Sequence, residues 1–136
     1  MHNVSALVLT ALIAWTMFLL ILMEGLRVRF LVTRTVAANE FRPDNSNLPP
    51  FMQRLARAHA NCIESFPIIG GLLVVALLTN RADVTDALAP WLLLARLLQS
   101  SIHLASTSVL AANARFLAFT VQITIAVYWL CELLTR

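Results

Sequence analysis

Four polar side chains recur along one short stretch of the chain: Arg54, Arg57, Asn61 and Glu64, spaced three, four and three residues apart. At about 100° per residue they share a helix face within an arc of roughly 80°. His59 and Cys62 point elsewhere. A second stripe has the same period: Arg96, Ser100, His103 and Thr107. Arg96 stands well inside an apolar segment, where a charge needs a partner, a cavity or a ligand. Glu64 is its most economical partner. Together with Arg27 or Arg34, and with Arg115, the two stripes predict an arginine-rich pocket. The guanidinium fork matches carboxylate geometry, so such a pocket suits a ligand bearing several carboxylates.

Plainer readings stand beside this one. Arg54 and Arg57 suit side chains that snorkel to a membrane interface. Glu64 and Arg96 suit a structural ion pair between helices. His59, off the polar face, reads as a packing or interface histidine. Cys62 and Cys131 read as small buried hydrophobes, and neither has the spacing of a metal ligand. The sequence holds no Gly-rich phosphate loop, no HExxH and no nucleophile elbow.

The composition says what must carry these residues. Of 136 residues, 60% are hydrophobic and 12% charged, against roughly 25% charged in a soluble domain. A soluble fold this short could not hide so much apolar surface, whereas a bilayer solvates it. Val4 to Met23 is an uncharged run long enough to cross a hydrocarbon core about 30 Å thick. It lacks the basic start and small-residue cleavage site of a signal peptide, and reads as an uncleaved first helix.

Four helices are expected, at about residues 4–35, 50–80, 87–109 and 115–134, forming one domain over 1–136. Residues 35–53, with Asn39, Asp44, Asn45 and Pro49-Pro50, read as a polar loop. Ser46 or Asn47 is expected to cap the second helix, and Asp83 or Thr85 the third. Ala111 to Ala114 reads as a tight connection. Pro67 should interrupt the second helix, and Gly70-Gly71 should admit a close helix neighbour. The expected architecture is an all-α, integral membrane four-helix bundle of up-down topology.

All ten cationic residues are Arg. Anion recognition and codon bias explain that equally well. Their distribution fits membrane topology rather than a nucleic-acid stripe. Arg27, Arg29, Arg34, Arg42, Arg54, Arg57 and Arg115 fall on one side, and Arg81 and Arg136 on the other. The first loop is therefore expected in the cytoplasm and both termini outside, which in a bacterial inner membrane means the periplasm.

The string Arg57-Ala58-His59-Ala60-Asn61-Cys62-Ile63-Glu64-Ser65-Phe66-Pro67, with Arg54 three residues earlier, resembles the second-helix signature of the MAPEG family, the membrane-associated proteins in eicosanoid and glutathione metabolism. Ala95 to His103, Ser106-Thr107-Ser108 and Asn113 to Phe116 resemble bacterial members. The likeness implies a homotrimer that binds glutathione between subunits near the cytoplasmic side. It implies that Arg57, Asn61 and Glu64 hold the tripeptide, with Arg54, Arg96, His103 and either Arg27 or Arg34 in the same pocket. Arg115 is the implied thiolate-stabilising arginine. The implied activity is a glutathione-dependent transferase or peroxidase acting on a hydrophobic electrophile or lipid hydroperoxide. The alternative is a non-catalytic protein that keeps the fold and binds lipid or scaffolds a partner. The chain departs from the family pattern where its enzymes often carry tyrosines: it has Gln99 and His103 on the third helix and Ser65 after Glu64, and its one tyrosine is Tyr128.

Overall fold

The structure, a computed structural model, describes residues 3–135; Arg136, counted above for orientation, lies outside them. The described chain forms α1 (Val4–Val32), α2 (Pro50–Leu78), a single turn α3 (Asp83–Asp86), α4 (Ala89–Ala105) and α5 (Val109–Thr135). Helices α1, α2 and α5 are long and apolar enough to cross a membrane. Helix α4 has 17 residues, or about 25 Å.

Several expected boundaries move, each for a local reason. Helix α1 stops at Val32 rather than residue 35. Arg34 takes the left-handed conformation, φ 54°. Its N–H donates to Leu31 O, and that of Thr35 to Phe30 O, both at 3.0 Å. This pair is a Schellman close built on a non-glycine residue. Helix α2 closes the same way through Asn80, φ 57°, with Arg81 N–H on Ala76 O at 2.7 Å. Helix α2 also runs unbroken through Pro67. Its start carries no side-chain cap: Pro49 is the N-cap and Pro50 opens the helix, so neither Ser46 nor Asn47 serves.

The expected third helix is shortened at both ends to α4, and the expected turn before it holds the single helical turn α3. Asp83 opens α3 rather than capping a long helix, Thr85 is buried within α3, and α4 starts uncapped after Leu88. Helix α4 then ends at Ala105, and α5 begins at Val109, not near Arg115. The expected connection at Ala111 to Ala114 is helical. Ser108 Oγ accepts from Ala111 N–H at 3.2 Å, and Ser106 Oγ from Ser108 N–H at 3.1 Å. Serine caps helices and alanine propagates them, so the break falls at the serines. Thr107 therefore lies in the connection, exposed, and leaves the polar stripe. Gly70 does not admit a second helix. A Cβ there would come within 2.9 Å of the Phe66 ring one turn earlier, and Gly71 faces open space.

Polar clasps fix the direction of each helix. At one end, the Asp86 carboxylate accepts from Ser5 N–H at 2.8 Å and from Ser5 Oγ at 2.6 Å. A carboxylate at a helix N-terminus is favoured by the unpaired N–H groups there. Arg81 donates to the Leu133 and Glu132 carbonyls near the end of α5, at 2.9 and 2.7 Å. At the other end, Arg54 Nε donates to Leu104 O at 2.9 Å, satisfying a terminal carbonyl of α4. Asn45 is fully buried with φ 54°. Its Oδ1 accepts from Arg27 Nε at 3.1 Å and from an Arg27 Nη at 2.7 Å, while its Nδ2 donates to Met52 O at 2.8 Å. The same arginine reaches the Arg42 carbonyl at 3.2 Å and Glu24 at 2.8 Å. The first loop is thus folded onto the end of α1.

Two apolar clusters fill the interior. One joins Val8, Leu12, Ile69, Leu73, Leu92, Ile125 and Trp129. The other joins Leu19, Met23, Met52, Leu55, Ala58 and Cys62. Along α2 they meet at the level of Asn61 to Ser65, where the buried polar residues of α4 and α5 also lie.

Two stability changes are expected, read as thermal midpoints of the detergent-solubilised chain. Asn45→Ala removes the acceptor of Arg27 Nε and the side-chain donor to Met52 O and should destabilise by about 1–3 kcal/mol. Arg34→Gly removes the left-handed strain and should stabilise by about 1 kcal/mol. A higher midpoint for the first variant, or a lower one for the second, contradicts these assignments.

Candidate functional site

Helices α2, α4 and α5 enclose a cleft of about 450 Å³. Asn61 and Glu64 come from α2, Arg96 and His103 from α4, and Arg115 from α5. Of the nine residues the sequence put forward, these five converge. The cleft continues into an apolar wall of Ile68, Phe116, Phe119 and Ile123. One concavity therefore offers charged groups and a greasy surface side by side.

Arg96 is the deepest charge, only 3% exposed. No ion pair joins it to Glu64, which corrects the expected partnership: among the described residues the salt bridge is Arg27–Glu24. Arg96 instead donates to Asn61 O at 3.3 Å and to the Ser65 hydroxyl. Ser65 in turn donates to Asn61 O at 2.8 Å. The Cys62 thiol lies beside Arg96 as well, and among the described residues no carboxylate pairs with it. Glu64 remains exposed. Across from Arg96, Asn61 Nδ2 lies 3.3 Å from His103 Nδ1, and the amide donates when that nitrogen carries no proton. Arg115 gives one Nη to Ser106 O at 3.2 Å; a guanidinium has five N–H donors, so others remain for a ligand. Two arginines against one carboxylate leave the cleft net cationic.

The other four residues sit elsewhere. Arg27 is held by Asn45, the Arg42 carbonyl and Glu24, and its fork is spent on the loop. Arg34 is the exposed residue that closes α1. Arg54 bonds Leu104 O and lies over the Phe51 ring at 5.9 Å. Arg57 is exposed and lines a separate cleft of about 460 Å³ with Pro43, Asp44, Ser46 and Gln53. There the Ser46 N–H, then its hydroxyl, hold the Asp44 carboxyl below its usual pKa. Helical spacing placed Arg54 and Arg57 on the face of Asn61 correctly, but it could not say that α4 and the loop divide that face into two clefts.

Sequence reasoning gave no site role to Ser65, Gln99 or the buried Gln122. Ser65 is the acceptor that holds Arg96. Gln122 Nε2 donates to Gln99 Oε1 at 2.9 Å and to Ala118 O at 3.0 Å. Gln122 is four residues beyond Ala118 and far from any charged residue in sequence, so nothing local marked it.

The family model described as MAPEG matches residues 5–135. No curated protein and no solved structure matches the chain. The match covers nearly the whole chain and agrees with the three apolar spans and the second-helix signature: this chain belongs to the MAPEG family, membrane proteins of eicosanoid and glutathione metabolism.

Proposed function

We propose that the chain is a membrane-embedded glutathione-binding enzyme, a transferase or peroxidase that presents glutathione to hydrophobic electrophiles or lipid hydroperoxides. The observation that carries this reading is the single cleft in which Arg96 and Arg115 adjoin the apolar wall of Ile68, Phe116, Phe119 and Ile123. Glutathione brings two carboxylates and an ammonium. The guanidinium groups suit the former, and Glu64 suits the latter. A thiol ionises more readily beside guanidinium groups, and Arg115, with donors to spare, is the residue assigned to the thiolate. The thiolate sulfur then attacks a substrate held against the aromatic wall: at an electrophilic carbon it displaces a leaving group or opens a π bond, and at a peroxide oxygen it breaks the O–O bond, releasing an alcohol and a glutathione sulfenic acid that a second glutathione converts to disulfide and water.

The same proposal includes the assembly. Helix α4 acts as a fourth span beside α1, α2 and α5, completing an up-down bundle. The unit is a homotrimer, the oligomer the family likeness implies. It lies in a bacterial inner membrane with the first loop cytoplasmic and both termini outside. The arginines at the loop end, Arg29, Arg34, Arg42 and Arg57, support that orientation against Arg81 at the other.

A second reading is a non-catalytic protein that keeps the fold and binds lipid or a partner. Gln99 and His103, where family enzymes often have tyrosines, favour it. Turnover of a generic electrophile with glutathione, abolished by Arg115→Ala, excludes it.

Calorimetry on the detergent-purified chain tests the leading reading. Glutathione at millimolar concentration should release heat, and none above background defeats the proposal. Arg96→Met should weaken binding by roughly 10- to 100-fold, the loss of a charge-assisted hydrogen bond of about 1.5–3 kcal/mol. The same variant should keep or raise the thermal midpoint, because it removes a buried charge that has no anionic partner among the described residues. A large fall in both would make Arg96 a structural residue.

A further inference from the structure

The amide of Gln122 has one permitted orientation. Its Nε2 lies 3.0 Å from Ala118 O, and a backbone carbonyl can only accept. The group facing Ala118 is therefore the NH₂. Its second hydrogen goes to Gln99 at 2.9 Å. Gln99 must meet that hydrogen with its oxygen. Gln122 is fully buried and Gln99 is 7% exposed, so no solvent competes for this contact from the α5 side.

What remains of Gln99 is its Nε2, with two N–H donors and no partner among the described residues. Among the described residues, the enclosed side-chain nitrogens and oxygens without a partner are Trp15 Nε1, His59 Nε2, Gln122 Oε1 and Trp129 Nε1. Gln99 Nε2 is not one of them, and Gln99 lines the cleft. Its donors thus face the cleft, one helical turn from both Arg96 and His103 and beside the apolar wall. A neutral, oriented donor at that place favours an oxygen on which negative charge develops.

We propose that Gln99 reads a carbonyl oxygen on the second substrate, and that the preferred electrophiles are α,β-unsaturated carbonyl compounds with an apolar tail. This rests on the glutathione reading above. In the step, the thiolate sulfur forms a bond to the β-carbon. The carbon–carbon π pair shifts toward the carbonyl and leaves an enolate, whose oxygen accepts the Gln99 N–H. The enolate carbon then takes a proton from water, replacing the one the thiol gave up. No group departs, and no oxidant or reductant is consumed. Gln122 is a positioning residue: it holds the Gln99 oxygen and so turns the nitrogen toward the substrate.

The test compares two electrophiles of matched alkyl length, an enone and an alkyl iodide, with glutathione and the detergent-purified full chain. The iodide releases halide and develops no oxyanion. Gln99→Met keeps the side-chain volume and removes the donor. The enone-to-iodide ratio of kcat/KM should fall about 10-fold, carried by kcat rather than KM. Gln122→Leu should lower the same ratio less, because its Gln99 amide is free to turn. An unchanged ratio in Gln99→Met overturns the assignment while iodide turnover keeps the glutathione reading standing. A wild-type chain that consumes iodide but no enone also overturns it. Absence of glutathione binding altogether removes both.

Discussion

A buried guanidinium with no carboxylate partner among the described residues is the constraint from which the rest follows. Arg96 is almost wholly enclosed, and its contacts are a carbonyl, a hydroxyl and the Cys62 thiol. An ion taken from water into a low-dielectric interior is expensive unless a counter-charge or a polar cavity meets it. The protein supplies the cavity: the opening between α2, α4 and α5. It supplies the hydroxyl through Ser65, whose own hydrogen is given to the Asn61 carbonyl. That carbonyl accepts from Arg96 as well, so one short arc of α2 fixes the charge. The two apolar clusters pack on either side of this level and keep it from collapsing.

The arginines divide into those that tie helix ends and loop together and those that line the cleft. Arg27 folds the first loop onto α1, Arg54 satisfies the end of α4, and Arg81 satisfies the end of α5. Each works at a helix terminus, where carbonyls or loop groups lack partners. Arg96 and Arg115 sit in the cleft instead. This split explains how an all-arginine chain can use one residue type for both purposes. The planar fork serves carbonyls at a terminus as well as carboxylates in a ligand.

The cleft also shows how a polar network can be made specific without further charge. The Gln122–Gln99 pair crosses from α5 to α4 in a region otherwise filled by Ile125, Trp129 and Leu92. A buried amide is costly where it is left unpaired, and of this pair Gln122 Oε1 alone is enclosed without a partner among the described residues. Here the Ala118 carbonyl settles the direction of the whole chain of bonds, and the last donor is delivered to the cleft.

The sequence by itself determined the membrane class, the positions of the long apolar segments, and the polar face of α2. Those properties are local: run length, charge content and a 3.6-residue period are written in consecutive residues. It also carried the family, through the Arg57 to Pro67 string. Only the tertiary structure decided which polar residues share a site. Arg57 and Asn61 are neighbours on one helix face, yet the loop and α4 send them to different clefts. Arg27 looks like a ligand residue until Asn45 is seen beneath it. The Glu64–Arg96 pair was plausible by charge, but a serine one residue further on is the nearer acceptor. Helix ends near residues 105–109 likewise depended on which serine hydroxyl reached which N–H. Such choices turn on distances between segments far apart in the chain, and no periodicity along the chain encodes them.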